Sequence, residues 1–186
     1  CDVLIDQNLY VNPTKRYADL VPDDAMLLLG PRFALLRQEF VAARAEVTPR
    51  RGLVQKVVVF YTGGDDQGET LKALQALAAW RNDIEVDVVI GAAHPDPQSI
   101  SAFCRRRGWH FHCQIDYMAS LLAKADLALG AGGSSSWERC ALGVPALVCV
   151  LADNQAELTE VLAAHGAVRS LGWAHQLTSE DYRVAL

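Results

Sequence analysis

The sequence predicts an α/β fold, a parallel sheet with helices on both faces. Three observations carry the expectation. From about residue 54, short apolar runs alternate with longer stretches of helical periodicity. One of the apolar runs, residues 56–61, Lys-Val-Val-Val-Phe-Tyr, is rich in β-branched residues and reads as a buried strand. Two of them run into glycines and then into a helical pattern, the loop chemistry of a strand–helix unit.

Taken in order, Val3–Asp6 and Met26–Leu29 are strand-like and flank a proline-containing connection. A helical stretch follows with Phe33, Leu36 and Phe40 on one face, and residues 47–52, Val-Thr-Pro-Arg-Arg-Gly, read as a linker. Residues 1–53 are therefore expected to be the end of an amino-terminal domain and an interdomain connector, and residues 54–186 a second domain. In that domain residues 56–61 form a strand, and Glu69–Trp80 a helix with Leu71, Leu74, Leu77 and Ala78 on its face. Glu85–Ile90 is the next strand, and His94-Pro95-Asp96-Pro97 makes a turn before a helix at 98–107. Strands follow at 109–113, 127–129, 146–150 and 167–171, and helices at 118–124, 136–142 and 155–165. Residues 178–186 read as two turns of helix. Ligands of such sheets bind beyond the carboxyl ends of the strands, so the loops after Tyr61, Cys113, Leu129 and Val150 are where function is sought.

Composition excludes several classes. Among 186 residues the acids outnumber the bases 22 to 17, a net charge of −5, which argues against nucleic-acid binding through clustered Lys and Arg. The content is 51% hydrophobic and 21% charged, that of a globular chain rather than a disordered one. The longest uncharged run, residues 140–152, contains Pro145 and is shorter than the roughly 20 residues of a spanning helix, so no membrane partner is expected. Five cysteines form no CxxC pair, and neither end has the layout of a signal peptide; together these predict a reducing cytoplasm. The chain begins at Cys1 with a strand already under way, and is expected to be a piece of a longer one.

The strongest local signal is a run from Leu127 to Cys140, in which Gly130, Gly132, Gly133, Ser134, Ser135 and Ser136 lie between a strand and a helix. Glycine admits close backbone approach, and serine hydroxyls and the N–H groups of a first helical turn donate hydrogen bonds. This is a site for a phosphate or diphosphate. Glu138 has a second reading, a capping box with Ser135. The loop Thr62-Gly63-Gly64-Asp65-Asp66 is either the facing wall of the same site or a tight turn; no GxGxxG or GxxxxGK[ST] motif occurs. Asp116 suits the cap of the helix at Met118. Asn154 either caps the helix it precedes or, with Gln155, reads sugar hydroxyls or an acetamido group. His110 and His112 share one strand face, but no carboxylate or cysteine is expected to complete a set, so no metal is expected. His94, His165 and His175 read as turn or surface residues, and Arg105–Arg107 as a solvated helix end.

Residues 128–146, Ala-Leu-Gly-Ala-Gly-Gly-Ser-Ser-Ser-Trp-Glu-Arg-Cys-Ala-Leu-Gly-Val-Pro-Ala, with Asn154-Gln155 beyond, resemble the PseG/SpsG family of UDP-diacetamido-trideoxy-altropyranose hydrolases of pseudaminic acid synthesis. Residues 4–8 (Leu-Ile-Asp-Gln-Asn), 29–37 (Leu-Gly-Pro-Arg-Phe-Ala-Leu-Leu-Arg) and 115–119 (Ile-Asp-Tyr-Met-Ala) carry the same resemblance. That family is similar to the UDP-GlcNAc transferase of peptidoglycan synthesis and has a GT-B architecture of two Rossmann-like domains, of which this chain would hold the carboxy-terminal half. The resemblance implies a UDP-sugar as the small-molecule partner and no cofactor. The diphosphate would lie against Gly132, Gly133, Ser134 and Ser135, and Glu138 would accept from the ribose hydroxyls. The uracil would meet the backbone at Ile115 with Met118 nearby, Gly64 and Asp65 would line the facing side, and Asn154 and Gln155 would touch the sugar. Asn154 is the one candidate for a catalytic role. Two positions depart from the family's pattern: Asp65 stands where a serine is expected, and His94 where an asparagine is. The family's catalytic histidine belongs to the amino-terminal domain; the first histidine here is His94, so the chain alone is expected to bind without turnover. A MurG-like transferase and a non-catalytic nucleotide-sugar module are the alternatives.

Overall fold

The computed structural model describes residues 1–186. Two short strands, β1 (Val3–Asp6) and β2 (Met26–Leu29), pair in parallel as a small separate sheet, with α1 (Pro13–Tyr17) between them. The main body is a six-stranded, wholly parallel sheet made of β3 (Lys56–Phe60), β4 (Glu85–Ile90), β5 (His110–Cys113), β6 (Leu127–Ala131), β7 (Ala146–Val150) and β8 (Arg169–Trp173). The strand order is β5-β4-β3-β6-β7-β8. The chain works outward from β3 to one edge, returns to β6 beside it, then works outward to the other edge. The β3–β6 boundary is therefore the switch point, where diverging loops open a crevice.

The helices that alternate with these strands are α3 (Glu69–Trp80), α4 (Pro97–Arg107), α5 (Met118–Lys124), α6 (Ser135–Ala141), α7 (Asp153–Ala164) and α8 (Ser179–Ala185). They bury two separate apolar layers, one on each sheet face. Leu74 and Leu77 of α3, Cys104 of α4 and Tyr182 of α8 pack on Val57, Val59, Val86 and Val88. Met118 and Leu122 of α5, Trp137 of α6 and Leu158 and Leu162 of α7 pack on Val58, Val89, Ala128 and Val148. Alternate residues of β3 thus serve opposite faces, as the two-residue strand period requires.

Local chemistry sets the helix ends. Asp96 Oδ1 accepts from the Ser99 N–H at 3.1 Å to start α4, and Gly108, at φ +69°, ends it. Thr178 and Asp181 cap each other's backbone at the start of α8. The last strand runs over Arg169–Trp173, two residues later than its apolar composition suggests, because Gly166 at φ +69° closes α7 and delays re-entry to the sheet.

The segment that reads as a connector is seated on this body. Helix α2 (Gln38–Arg44) buries Phe40 completely among Met118, Leu122 and Leu142. Arg50, in the stretch that reads as a linker, donates to the carbonyls of Leu122 (3.0 Å), Leu142 (2.7 Å) and Gly143 (3.0 Å) and to that of Ala125. These carbonyls lie at and just beyond the carboxyl ends of α5 and α6, where the intrahelical ladder runs out of donors, and a cation suits the negative end of a helix.

All five cysteines are free. No helix is long and apolar enough to cross a membrane.

Two histidine readings are corrected by non-local contacts. His94 does close a turn, its N–H donating to the Gly91 carbonyl at 3.2 Å, but it is buried rather than on the surface, with Nε2 3.5 Å from Asp66 Oδ1. His110 and His112 do have carboxylates beside them, because the β4–β5 register sets Asp87 opposite His110. His112 Nε2 lies 2.7 Å from Asp87 Oδ1, and His110 Nδ1 lies 3.3 Å from it. Glu85, Asp87 and His110 present ligand atoms within 4.8 Å of one another, which the expectation of no metal set overlooked. A cation already stands there: Lys56 Nζ is 2.5 Å from Glu85 Oε1 and 3.1 Å from Asp87 Oδ2.

That network makes acid stability predictable. Burial works against the Asp87 charge, but the contacts with His112 and Lys56 outweigh it and hold the carboxyl below its ordinary value. A carboxyl lowered by folding stabilises the fold above its unfolded pKa, about 3.9, and the contribution is lost as pH falls through the folded value. Stability should therefore drop below about pH 4, and Asp87→Asn should flatten that limb. Urea unfolding between neutral pH and pH 3 measures it; identical acid limbs in the two proteins would contradict the assignment.

Candidate functional site

Two clefts open at the switch point. The larger, about 440 Å³, lies between the β3 loop, the β6 loop, the start of α7 and the β1 loop. Thr62 and Gly63 line one side, Gly132, Gly133, Ser134 and Ser135 the other, Asn154 and Gln155 a third, and Gln7 and Asn8 the fourth. The smaller, about 300 Å³, continues from it over the carboxyl end of β4, lined by Gly91, Gln114, Ile115, Met118, Arg37 and Glu138 among others. Phe60, Gly63, Ser134 and Ser135 line both, so the two are chambers of one bent crevice with the glycine–serine loop at the bend.

The glycines of this region have steric reasons. A Cβ on Gly132 would run into the Thr159 hydroxyl of α7, which is buried and donates to the Gln155 carbonyl at 2.7 Å. A Cβ on Gly130, inside β6, would strike the Phe60 carbonyl and crowd Arg139. Gly91, at the end of β4, packs directly on the backbone of Gly63. Glycine in or beside a strand here marks close backbone approach, which brings three loops within reach of one ligand.

Glu138 makes no capping box. The cap position of α6 is Ser134 in helical conformation, with no side-chain cap bond, so the serine that would exchange bonds with Glu138 is already inside the helix. Glu138 turns into the smaller chamber, where its Oε1 accepts from Arg37 Nη2 at 3.2 Å. Burial pushes the Glu138 carboxyl up from its ordinary value, and Arg37 pulls it partly back. Arg37 is shared, with Nη1 2.8 Å from Glu39 Oε1.

Other sequence readings change in detail. Asp116 does not cap α5: it is exposed, and Tyr117 holds the cap position without a side-chain bond. Asn154 does not cap α7 either, because that helix already begins at Asp153, and no side chain caps it. Asn154 instead lies in the first turn beside Gln155, whose Oε1 accepts from the Leu151 N–H at 3.0 Å. Of the β3 loop, Thr62 and Gly63 line the crevice, whereas Gly64 and Asp65 stand beyond it; Asp65 Oδ1 accepts from the Gln67 N–H at 2.8 Å. Asp66 is the buried carboxylate of that loop, accepting from the N–H groups of Gly68 and Thr70 at 3.0 and 2.9 Å and so holding the entry to α3.

The crevice therefore gathers Gly132, Gly133, Ser134, Ser135, Glu138, Ile115, Met118, Asn154 and Gln155, and adds Gln7, Asn8 and Arg37. The added residues are distant in sequence. Their signal was position: Gln7 and Asn8 directly follow the β1 strand, where a loop beyond a carboxyl end is expected.

No protein-family model matches the chain. In sequence it is similar to the spore coat polysaccharide biosynthesis protein SpsG of Bacillus subtilis, 28% identical over 155 residues. That match takes in 81% of this chain and 45% of SpsG, so the chain spans about half the length of its relative. In structure it is similar to MurG of Acinetobacter baumannii, with a TM-score of 0.57 and 13% identity over 90% of this chain and 48% of that one. It is also similar to the spinosyn rhamnosyltransferase SpnG, solved in complex with thymidine diphosphate, with a TM-score of 0.52 and 19% identity over 72% of this chain and 36% of that one. The chain is thus homologous to SpsG and carries the parallel α/β fold of the GT-B glycosyltransferases.

Proposed function

We propose that the chain binds a UDP-sugar in the two-chambered crevice, with the diphosphate at the bend. One observation carries the reading: the glycine–serine loop lies between a chamber lined by Ile115, Met118 and Glu138 and one lined by Asn154, Gln155, Gln7 and Asn8. A diphosphate joins two unlike groups, and this loop lies between two unlike chambers. In the smaller chamber Met118 and Ile115 would cover a base, and the Glu138 carboxylate would accept from two ribose hydroxyls. In the larger, the amides of Asn154, Gln155, Asn8 and Gln7 would read a sugar bearing hydroxyl and acetamido groups. Residues 54–186 would form the nucleotide-sugar domain, and residues 1–53 the connector to an amino-terminal partner domain.

The reaction proposed for the whole protein breaks the bond between the anomeric carbon and the diphosphate of a UDP-diacetamido-trideoxy sugar, with water as acceptor. Loss of UDP needs charge stabilisation, which the N–H groups and hydroxyls of the loop supply. Attack needs a base within hydrogen-bond reach. No histidine lines either chamber, so binding, not turnover, is assigned to these residues, with Asn154 orienting the sugar. A transferase, with an acceptor hydroxyl in place of water, is the second reading, favoured by the fold shared with MurG and SpnG.

Thermal unfolding with added nucleotides tests the assignment. At about 100 times its dissociation constant UDP should add roughly 2.7 kcal/mol of stability, with little effect from ADP or NAD. A shift with NAD and none with UDP would overturn the base assignment. Steady release of UDP from the UDP-sugar by this chain alone would overturn the division between binding and turnover.

A further inference from the structure

Arg139 lies one helical turn behind Ser135 on α6, directly beneath the glycine–serine loop. The residue is 3% exposed. Its Nη1 donates to Ser135 Oγ at 3.1 Å; its Nη2 donates to Ser136 Oγ at 3.0 Å and to the Ala131 carbonyl at 2.7 Å; its Nε has no partner. None of these acceptors is charged. The neighbouring carboxylate, Glu138, is turned to Arg37. Burial pushes the guanidinium down to about 10, which leaves it a cation at neutral pH.

A buried cation without an anion is costly, and buried charges are as a rule paired. Here the fold makes room for it: a Cβ on Gly130 would crowd Nη1, so β6 gives up a side chain where the guanidinium enters. The crevice above the guanidinium is where an anion would meet it. Ser135 lines both chambers, and its oxygen accepts from Arg139, so the hydroxyl's own proton is free to point into the crevice. Arg37 is the only cation among the lining residues, and it sits between two glutamates on the rim.

We infer that Arg139 is the built-in counter-charge of the anion site, a positioning residue that turns the Ser135 hydroxyl outward as a donor and holds positive potential under the diphosphate. The inference rests on the nucleoside diphosphate reading above and names the group that would make that reading work in an acidic chain.

The test is calorimetric titration of the full chain and its variants with UDP, uridine and inorganic pyrophosphate at fixed salt. Arg139→Met should weaken UDP and pyrophosphate at least tenfold and leave uridine unchanged, with a melting temperature no lower than that of the parent. Arg139→Lys should recover part of the loss. If Arg139→Met does not fold, Ser135→Ala carries the test: it should weaken pyrophosphate in the parent and have less effect in the Arg139→Lys background. Unchanged UDP and pyrophosphate affinity in these variants, or equal loss of uridine, overturns the inference and leaves the UDP reading standing. A parent chain that binds pyrophosphate but not UDP overturns the uridine reading and leaves Arg139 its role. Binding of neither overturns both.

Discussion

Glu138→Ala should weaken UDP by about 10- to 100-fold while barely changing the stability of the free protein. A hydrogen bond to a charged group contributes about 1.5–3 kcal/mol, and each 1.4 kcal/mol is tenfold in affinity. The carboxylate's partner in the free protein is Arg37, whose side chain is 49% exposed, and exposed ion pairs contribute about 0–1 kcal/mol. The two effects therefore separate. Glu138→Gln should fall between, since it keeps an acceptor and loses the charge. Titration with UDP beside a urea melt decides it: equal losses in stability and none in affinity would make Glu138 a structural residue.

Gly91→Ala should be the most damaging single-methyl change in the region. The added carbon would overlap the carbonyl and Cα of Gly63, and a backbone group cannot rotate away as a side-chain tip can. Overpacking of this kind costs about 1–3 kcal/mol. The strain falls on the β3 loop, so Thr62 and Gly63 should shift from the crevice wall and UDP affinity should fall with stability. Gly64→Ala is the control, because a Cβ there meets nothing within 4 Å and stability should hold within about 0.5 kcal/mol. Equal melting curves for the two variants would contradict the packing of β4 against the β3 loop.

The contrast between Gly91 and Gly64 shows where sequence reasoning carries and where it stops. Strands β3, β4 and β7 could be read from runs rich in Val and Ile, β5 and β6 from short apolar stretches between turn and helix signals, and the glycine–serine loop from its glycines, because those signals are local. Gly64 follows Gly63 in sequence and Gly91 meets it only in space, and nothing local separates the glycine that faces another backbone from the one that faces open space. The same holds for Asp87: the carboxylate that completes the His110–His112 cluster lies on another strand, and only the register of β4 on β5 brings it there. Glu138 illustrates a third limit. Its capping-box spacing was present, and the reading failed because α6 begins one residue earlier than the spacing supposes. Phe40 and Arg50 lie in a stretch of connector composition, yet they dock on α5 and α6 through contacts with Leu122 and Leu142 that no short window contains.

The central claim is that a nucleoside diphosphate lies across the β3–β6 switch point with its phosphates on the glycine–serine loop. A crystal structure of the chain with UDP tests it most directly. The account predicts phosphate oxygens within hydrogen-bond distance of Gly133, Ser134 and Ser135, the ribose hydroxyls on Glu138 in place of Arg37, and the uracil beside Ile115. A nucleotide bound elsewhere on the chain, or one that leaves the Arg37–Glu138 pair closed and the loop unoccupied, would contradict it.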